Sequence, residues 1–191
     1  SILRKVQMFN EETMNNRVSS RLPFGIASNF RRFSVEPTPE NKVILYRSER
    51  GNNKTADRKV YTAQKYITKN ADWKDKNKVL VSKASPGGDE YPHAIIAEPI
   101  LAGKNSVCTE TYLIVDFVAN KEQGNNLIGY MKTKFFRFMM ALIKNTQNIS
   151  KGVFSVVPVQ DWKETWTDKK LYKKYKLTKE EIKFIDSLIK P

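Results

Sequence analysis

Residues 111–118 read Thr-Tyr-Leu-Ile-Val-Asp-Phe-Val, and this run decides the fold class. Aromatic and β-branched residues fill it, and its length suits a strand rather than a helix. Shortly after it, Gly124–Asn126 opens a long helical pattern that runs to about Asn145. Within that pattern Leu127, Met131, Phe135, Phe138 and Leu142 form one apolar stripe, which Ile128 and Met139 widen. A strong strand followed by a one-faced helix predicts a sheet with a helix packed on it.

Upstream, Val43–Ser48 (VILYRS) and Arg58–Thr62 (RKVYT) have strand composition and flank the turn-rich stretch Arg50–Asp57, which predicts a hairpin. Lys78–Lys83 (KVLVSK) reads as a buried strand, and Ala84–Pro92 as a loop after it. Gln64–Lys74 is ambiguous, with a helix around Tyr66 and Ile67 as one option. Residues 2–17 carry apolar positions at helical spacing and are expected to form one helix. Downstream, Val153–Val159 is expected to be extended up to Pro158. Helices follow at about 168–175 and from the capping box Thr178-Lys179-Glu180-Glu181 to Ile189. The expected class is α+β (mixed α/β): a central, mostly antiparallel or mixed sheet with a long packing helix and C-terminal helices. Residues 1–20 are an N-terminal helix, a possible connection to an upstream domain. Residues 21–160 form the main α+β domain, and 161–191 a helical segment packed on it. The start inside a helical pattern, with no signal-peptide pattern, is read as part of a larger intracellular protein.

The net charge is +14, from 34 Lys+Arg against 20 Asp+Glu. Residues 1–60 carry 12 basic and 6 acidic side chains, residues 61–120 carry 7 and 7, and residues 121–191 carry 15 and 7. Eight of the nine arginines lie at or before Arg58, whereas the last third is almost purely lysine. Arginine makes planar bidentate contacts to guanine edges and phosphates, and lysine acts as a point charge. Discriminating contacts to a nucleic acid are therefore expected in the first third. No apolar run is long enough to span a membrane.

A catalytic constellation does not assemble from the residues. Gly-rich phosphate loops, GxSxG and HExxH are absent. His93 reads as a loop or strand-edge residue and Cys108 as a small core residue. Asp72-Trp73-Lys74 and Asp161-Trp162-Lys163 match half of a metal-dependent nuclease motif, but the companion Asp would have to sit at a strand end whereas Asp116 is mid-strand, and Asp-x-Lys arises easily by chance in a lysine-rich chain. Trp73, Trp162 and Trp166 are read as half-buried anchors, with base stacking as the alternative.

Several segments together resemble a known family. They are Gly129–Phe138, Lys144–Asn148, Val153–Asp161, Trp166–Asp168, Leu171–Tyr175 and Leu177–Ile182, with weaker similarity at Leu22–Ile26, Asn29-Phe30 and Lys78–Ala84. The pattern is similar to the C-terminal target-recognition region of bacterial restriction–modification proteins that carry an adenine-specific DNA methyltransferase. It is also similar to recognition domains of type I specificity subunits. The resemblance is dense from 124 to 190 and thin in 34–77. The Asn/Asp-Pro-Pro-Tyr/Phe methyltransferase motif does not occur in this sequence. The resemblance thus implies double-stranded DNA recognition without catalytic residues, next to an upstream methyltransferase domain in the bacterial cytoplasm. S-adenosylmethionine, and Mg²⁺ if a nuclease is present, would bind elsewhere in the parent. The competing classes are a metal-dependent nuclease and a basic RNA- or protein-interaction domain.

The expected DNA-facing residues are Arg31, Arg32, Arg47, Arg50, Lys54 and Arg58, with the hairpin loop entering a major groove. Lys83 and Ser85 join them from the loop that contains Gly87-Gly88. Lys134 and Arg137 are phosphate candidates on the flank of the long helix. Lys169, Lys170, Lys173 and Lys174 are read as a solvated face, with phosphate contact as the alternative.

Overall fold

The computed structural model describes residues 1–48, 58–84 and 91–191. The fold is α+β, with two three-stranded sheets in place of one central sheet. Strands β1 (Val43–Arg47), β2 (Arg58–Thr62) and β5 (Ser106–Cys108) form the first sheet in the order β2-β1-β5. The second contains β3 (Lys78–Ser82), β4 (Ile100–Ala102) and β6 (Tyr112–Phe117) in the order β4-β3-β6. β1 and β2 are the expected antiparallel hairpin, with Val43 opposite Thr62 and Arg47 opposite Arg58, while β5 runs parallel to β1. The second sheet is antiparallel throughout.

Side-chain alternation along β3 and β6 explains why two cores exist. Val79, Val81, Leu113 and Val115 point into a helical core, whereas Leu80, Tyr112 and Ile114 point into a second core shared with Val43, Leu45, Val60 and Val107. The second sheet is therefore a wall buried on both faces, and TYLIVDFV shows a continuous apolar run rather than alternation. The β3–β6 register slips by one residue at Val115, since Val79 pairs with Asp116 and Leu80 with Ile114.

The helical layer consists of α1 (Ile2–Gln7), α2 (Lys121–Lys132), α3 (Lys134–Ala141), α4 (Asp168–Lys174) and α5 (Lys179–Leu188). Gly124 permits α2 to lie close to β4, because a Cβ there would sit 2.4 Å from Leu101 Cδ1. The long helix expected to about Asn145 is instead two helices. Thr133 adopts φ −63°, ψ 149°; its N–H and hydroxyl both donate to the Tyr130 carbonyl, and its oxygen accepts from Phe136 N–H at 3.1 Å. The Asp168 carboxylate then accepts from Lys134 N–H at 3.1 Å and Phe135 N–H at 2.9 Å. Five hydrogen bonds made by Thr133 and Asp168 hold a break that no proline or glycine announces. Leu142 falls beyond the end of α3 and is 43% exposed, so it leaves the expected stripe, while Leu127, Met131, Phe135 and Phe138 stay in the core.

The single helix expected over 2–17 also divides. α1 stops at Gln7, Asn10 turns at φ +50°, and Met14–Asn16 forms a separate 3-10 turn. Asn10 and Thr13 favour turn and extended backbone there. Thr13 bridges Pro158, and the extended part of 153–159 is confined to its end, after a 3-10 turn at Lys151–Phe154. Gln64–Lys74 forms two short 3-10 turns, Gln64–Tyr66 and the start of Ala71–Asp75. Residues 1–20 pack with the C-terminal helices: Ile2, Val6 and Met14 share a core with Leu171, Tyr175 and Ile185, and Lys5 pairs with Glu181 at 2.7 Å.

Phe138→Ala should cost about 3–5 kcal/mol because the ring is buried against Phe184. Leu142→Ala should cost roughly 1 kcal/mol or less, and Thr133→Ala about 1 kcal/mol through the lost cap. Urea denaturation of the three variants checks this; equal losses at Phe138 and Leu142 would contradict a helix ending at Ala141.

Candidate nucleic-acid interface

One end of the molecule gathers chain segments that the sequence keeps far apart. Ser48, just past β1, donates its N–H to Thr111 Oγ1 at 3.2 Å, and Lys83, just past β3, donates its N–H to the Thr111 carbonyl at 2.9 Å. Thr111 in turn holds Thr109 through paired hydroxyls at 2.7 Å, and Thr109 N–H reaches the Tyr46 carbonyl. The Lys83 carbonyl accepts from Ile149 N–H, and Ala84 bridges Asn148. Thr111 is thus the joint between the hairpin sheet and the two-faced sheet. Ser48 and Ala84 border the two stretches that contain Arg50, Lys54 and Ser85, and these three residues lie outside the described ones.

The remaining expected contacts divide sharply. Arg31 and Arg32 are exposed, but they sit beside Thr62, at the opposite end of the hairpin from Ser48. Arg31 folds back onto the Ser28 and Phe30 carbonyls, and Arg32 lies 5.8 Å from the Tyr66 ring centre, which Lys65 also approaches. Lys83 is half-buried. Arg58 occupies the first position of β2, across from Arg47.

Arg47 and Arg137 are not surface contacts. Arg47 is 2% exposed, because Val43, Leu45 and Arg47 share the buried face of β1 at period two; its guanidinium lies 4.3 Å from the Phe33 ring centre. Arg137 is 8% exposed within α3, whose residues 135–140 are all buried. Its Nε donates to the Thr133 carbonyl at 3.3 Å, and burial lowers its pKa from the ordinary arginine value. Lys134 pairs with Asp186 at 2.7 Å. Lys174 pairs with Glu11 at 2.5 Å and Lys170 donates to the Thr165 carbonyl, so only Lys169 and Lys173 of that group keep open surroundings. Elsewhere Arg17 pairs with Glu12, and Arg21 with Glu110, whose carboxyl is held at about 2 by the Ser28 N–H and by Arg21.

Of the carboxylates in the nuclease alternative, Asp116 and Asp161 are engaged in structural hydrogen bonds, while Asp72 is exposed 3.6 Å from Lys76. Asp116 accepts from Trp162 Nε1–H at 2.9 Å and from Phe117 N–H at 2.8 Å, with Arg17 3.6 Å away. Asp161 accepts from Lys163 N–H. The tryptophans act as anchors: Trp73 lies between Phe24 and Phe117, Trp162 packs on Tyr130, and Trp166 donates to the Asp161 carbonyl. His93 is a strand-edge residue paired with Ile189, and Cys108 is fully buried. Among the described residues no three His, Cys, Asp or Glu side chains come together as metal ligands, and no helix is long and apolar enough to cross a membrane.

A feature with no signal in the sequence is Lys78, which is fully buried at the start of β3. Its ammonium donates to the Ser106 carbonyl and to Ser106 Oγ, both at 3.0 Å. The distance would suit a nucleophile–base pair, but the Ser106 hydroxyl donates to the Gly103 carbonyl and neither side chain meets solvent. The pair pins β3 to β5 and so ties the two sheets together. Burial pushes the Lys78 pKa down to about 8.

Comparison with protein-family models and with curated proteins finds no match to this chain.

Unfolding returns Lys78 to the ordinary lysine value of 10.5. Between about pH 8 and 10.5 the unfolded chain therefore holds the extra proton, and the contribution of Lys78 to stability rises with pH across that window. Cys108, pushed up to about 12 by burial, works in the opposite direction above pH 9, so the test is a difference. The stability of the wild type minus that of Lys78→Met should rise by up to about 3 kcal/mol between pH 7.5 and 10 in urea denaturation. A flat difference would mean that the buried amine keeps its ordinary pKa.

Proposed function

We propose that this chain is a sequence-specific double-stranded DNA recognition domain. On this reading it serves a bacterial restriction–modification adenine methyltransferase and has no catalytic residues of its own. The observation that carries it is the Thr111 joint. The turn-rich stretch that contains Arg50 and Lys54 and the loop that contains Ser85 and Gly87-Gly88 follow Ser48 and Lys83, which share Thr111 as hydrogen-bonding partner. Rigid strands ending at one place give a scaffold for contacts that must keep register on a duplex. Arg50, Lys54 and Arg58 supply bidentate and point-charge donors, and Lys83 and Ser85 supply phosphate contacts. An upstream methyltransferase domain would bring S-adenosylmethionine, and the setting would be the bacterial cytoplasm.

Selection of duplexes from a random pool, in EDTA, followed by fluorescence anisotropy, tests this. The chain should enrich a defined sequence. Arg50→Ala should cost roughly 1–3 kcal/mol on that sequence and much less on random duplex. Lys83→Gln should lower the slope of log affinity against log salt by about 0.9. Arg137→Gln should lower stability and leave the slope unchanged. Failure to enrich any sequence, or equal weakening of both duplexes by Arg50→Ala, would overturn the proposal.

A further inference from the structure

A cavity of about 390 Å³ opens between α4 and α5, far in sequence from the Thr111 joint. Tyr172, Leu177 and Ile182 line it with apolar surface, and Lys169, Lys173 and Lys176 stand around them. The backbone builds this arrangement in a specific way. In the turn after α4, Lys176 stands at φ +53°, a left-handed position that glycine normally fills, and Leu177 N–H returns to the Tyr172 carbonyl at 2.9 Å. That turn brings Leu177 beside Tyr172 and leaves a long cationic side chain where glycine would be conformationally cheaper.

The charges around the cavity are unbalanced. Asp168 is spent on the N-terminus of α3, Asp186 on Lys134, and Glu181 on Lys5 and the Thr178 N–H. On α4 itself, the two lysines outside the cavity have partners: Lys174 has Glu11, and Lys170 lies 3.9 Å from Glu164. Lys169, Lys173 and Lys176 form no ion pair with any described residue. Three unneutralised ammonium groups around an apolar floor match a ligand that is acidic and also carries an apolar side chain. A DNA backbone offers the phosphates but nothing to bury on Leu177 and Ile182.

We propose that the α4–α5 cavity is a docking site for an acidic peptide segment of a partner protein, which inserts one apolar side chain between Tyr172, Leu177 and Ile182. Its carboxylates would face Lys169, Lys173 and Lys176. This site is independent of the DNA reading.

The probe is a fluorescein-labelled twelve-residue peptide of Glu and Asp carrying a Leu and a Phe three residues apart, titrated with the full chain at low salt. It should bind saturably and weaken with added salt. The triple variant Lys169→Gln, Lys173→Gln, Lys176→Gln should weaken it about tenfold or more. A version of the peptide with Ala for Leu and Phe should bind about tenfold more weakly. All three substitutions are on exposed lysines, and an unchanged thermal midpoint will establish that the variant is folded. The proposal is overturned if the peptide does not bind, if the triple variant binds it as well as the wild type, or if the Ala peptide binds equally. It is also overturned if the triple variant leaves peptide binding intact but lowers the salt slope for a random duplex, which would make this face a phosphate surface.

Discussion

The structure depends on β6 having no solvent face. Tyr112 and Ile114 are buried on one side, Leu113 and Val115 on the other, and β3 beside it repeats the arrangement. A strand buried on both faces must be covered twice. The helices supply one cover, and the sheet β2-β1-β5 with Phe24 and Ile26 supplies the other. The two outer layers are consequently both positioned by the same seven residues of β3 and β6, Val79–Val81 and Tyr112–Val115. Removing a large side chain from this wall would open a cavity facing both cores, so its effects should not stay local.

A wall that dry has to neutralise each polar group it contains. Asp116 is the one carboxylate of β6, and burial raises its pKa against the opposing pull of Trp162 Nε1–H and Arg17. Lys78 opens β3 and is satisfied by Ser106 from the other sheet. At the helical side, Tyr175 donates to Glu11 at 2.6 Å and accepts from Gln160, and Lys174 reaches both partners. Each of these groups joins segments distant in sequence. A buried polar group is costly when a partner is lost, so such links favour one arrangement of the layers over alternatives of similar apolar burial.

Much of the fold was legible because periodicity reports burial. The hairpin, the bounds of β2 and the capped final helix follow from short-range patterns, and the structure places them within a residue or two of expectation. What was not legible depended on tertiary partners. The break at Thr133 is held by Asp168, 35 positions away, which no local pattern encodes. The second sheet could not be told from the first because pairing between distant strands leaves no mark on either one. For the candidate site, Arg47 carried an overlooked signal. Val43 and Leu45 alternate toward the core, and period two puts Arg47 on the same face. Arg137 carried no comparable signal, since Thr133 and Lys134 lie one turn before it on the same helical face and its burial is set by the packing of α3. Composition identified arginine as informative, but only alternation could say which arginines are available.

That distinction changes what the charge of +14 can do. Arg17 and Arg21 are paired, Arg47 and Arg137 are buried, and Lys132, Lys134 and Lys174 have carboxylate partners. The cationic surface left over is therefore smaller than the composition implies. Among the described residues, one cationic cluster, Arg31 and Arg32 with Lys65 around Tyr66, belongs to the hairpin sheet, and another, around Leu177 and Ile182, belongs to the helical layer. The two lie on opposite covers of the β3–β6 wall and share no helix, strand or loop. Coupling between sites requires an element with two arrangements that both ligands bias. A close-packed wall buried on both faces is poorly suited to be that element, because it resists small displacements. A ligand on the helical cover and one on the sheet cover should therefore bind additively, each neither helping nor hindering the other beyond the weak, salt-screened repulsion or attraction of their charges.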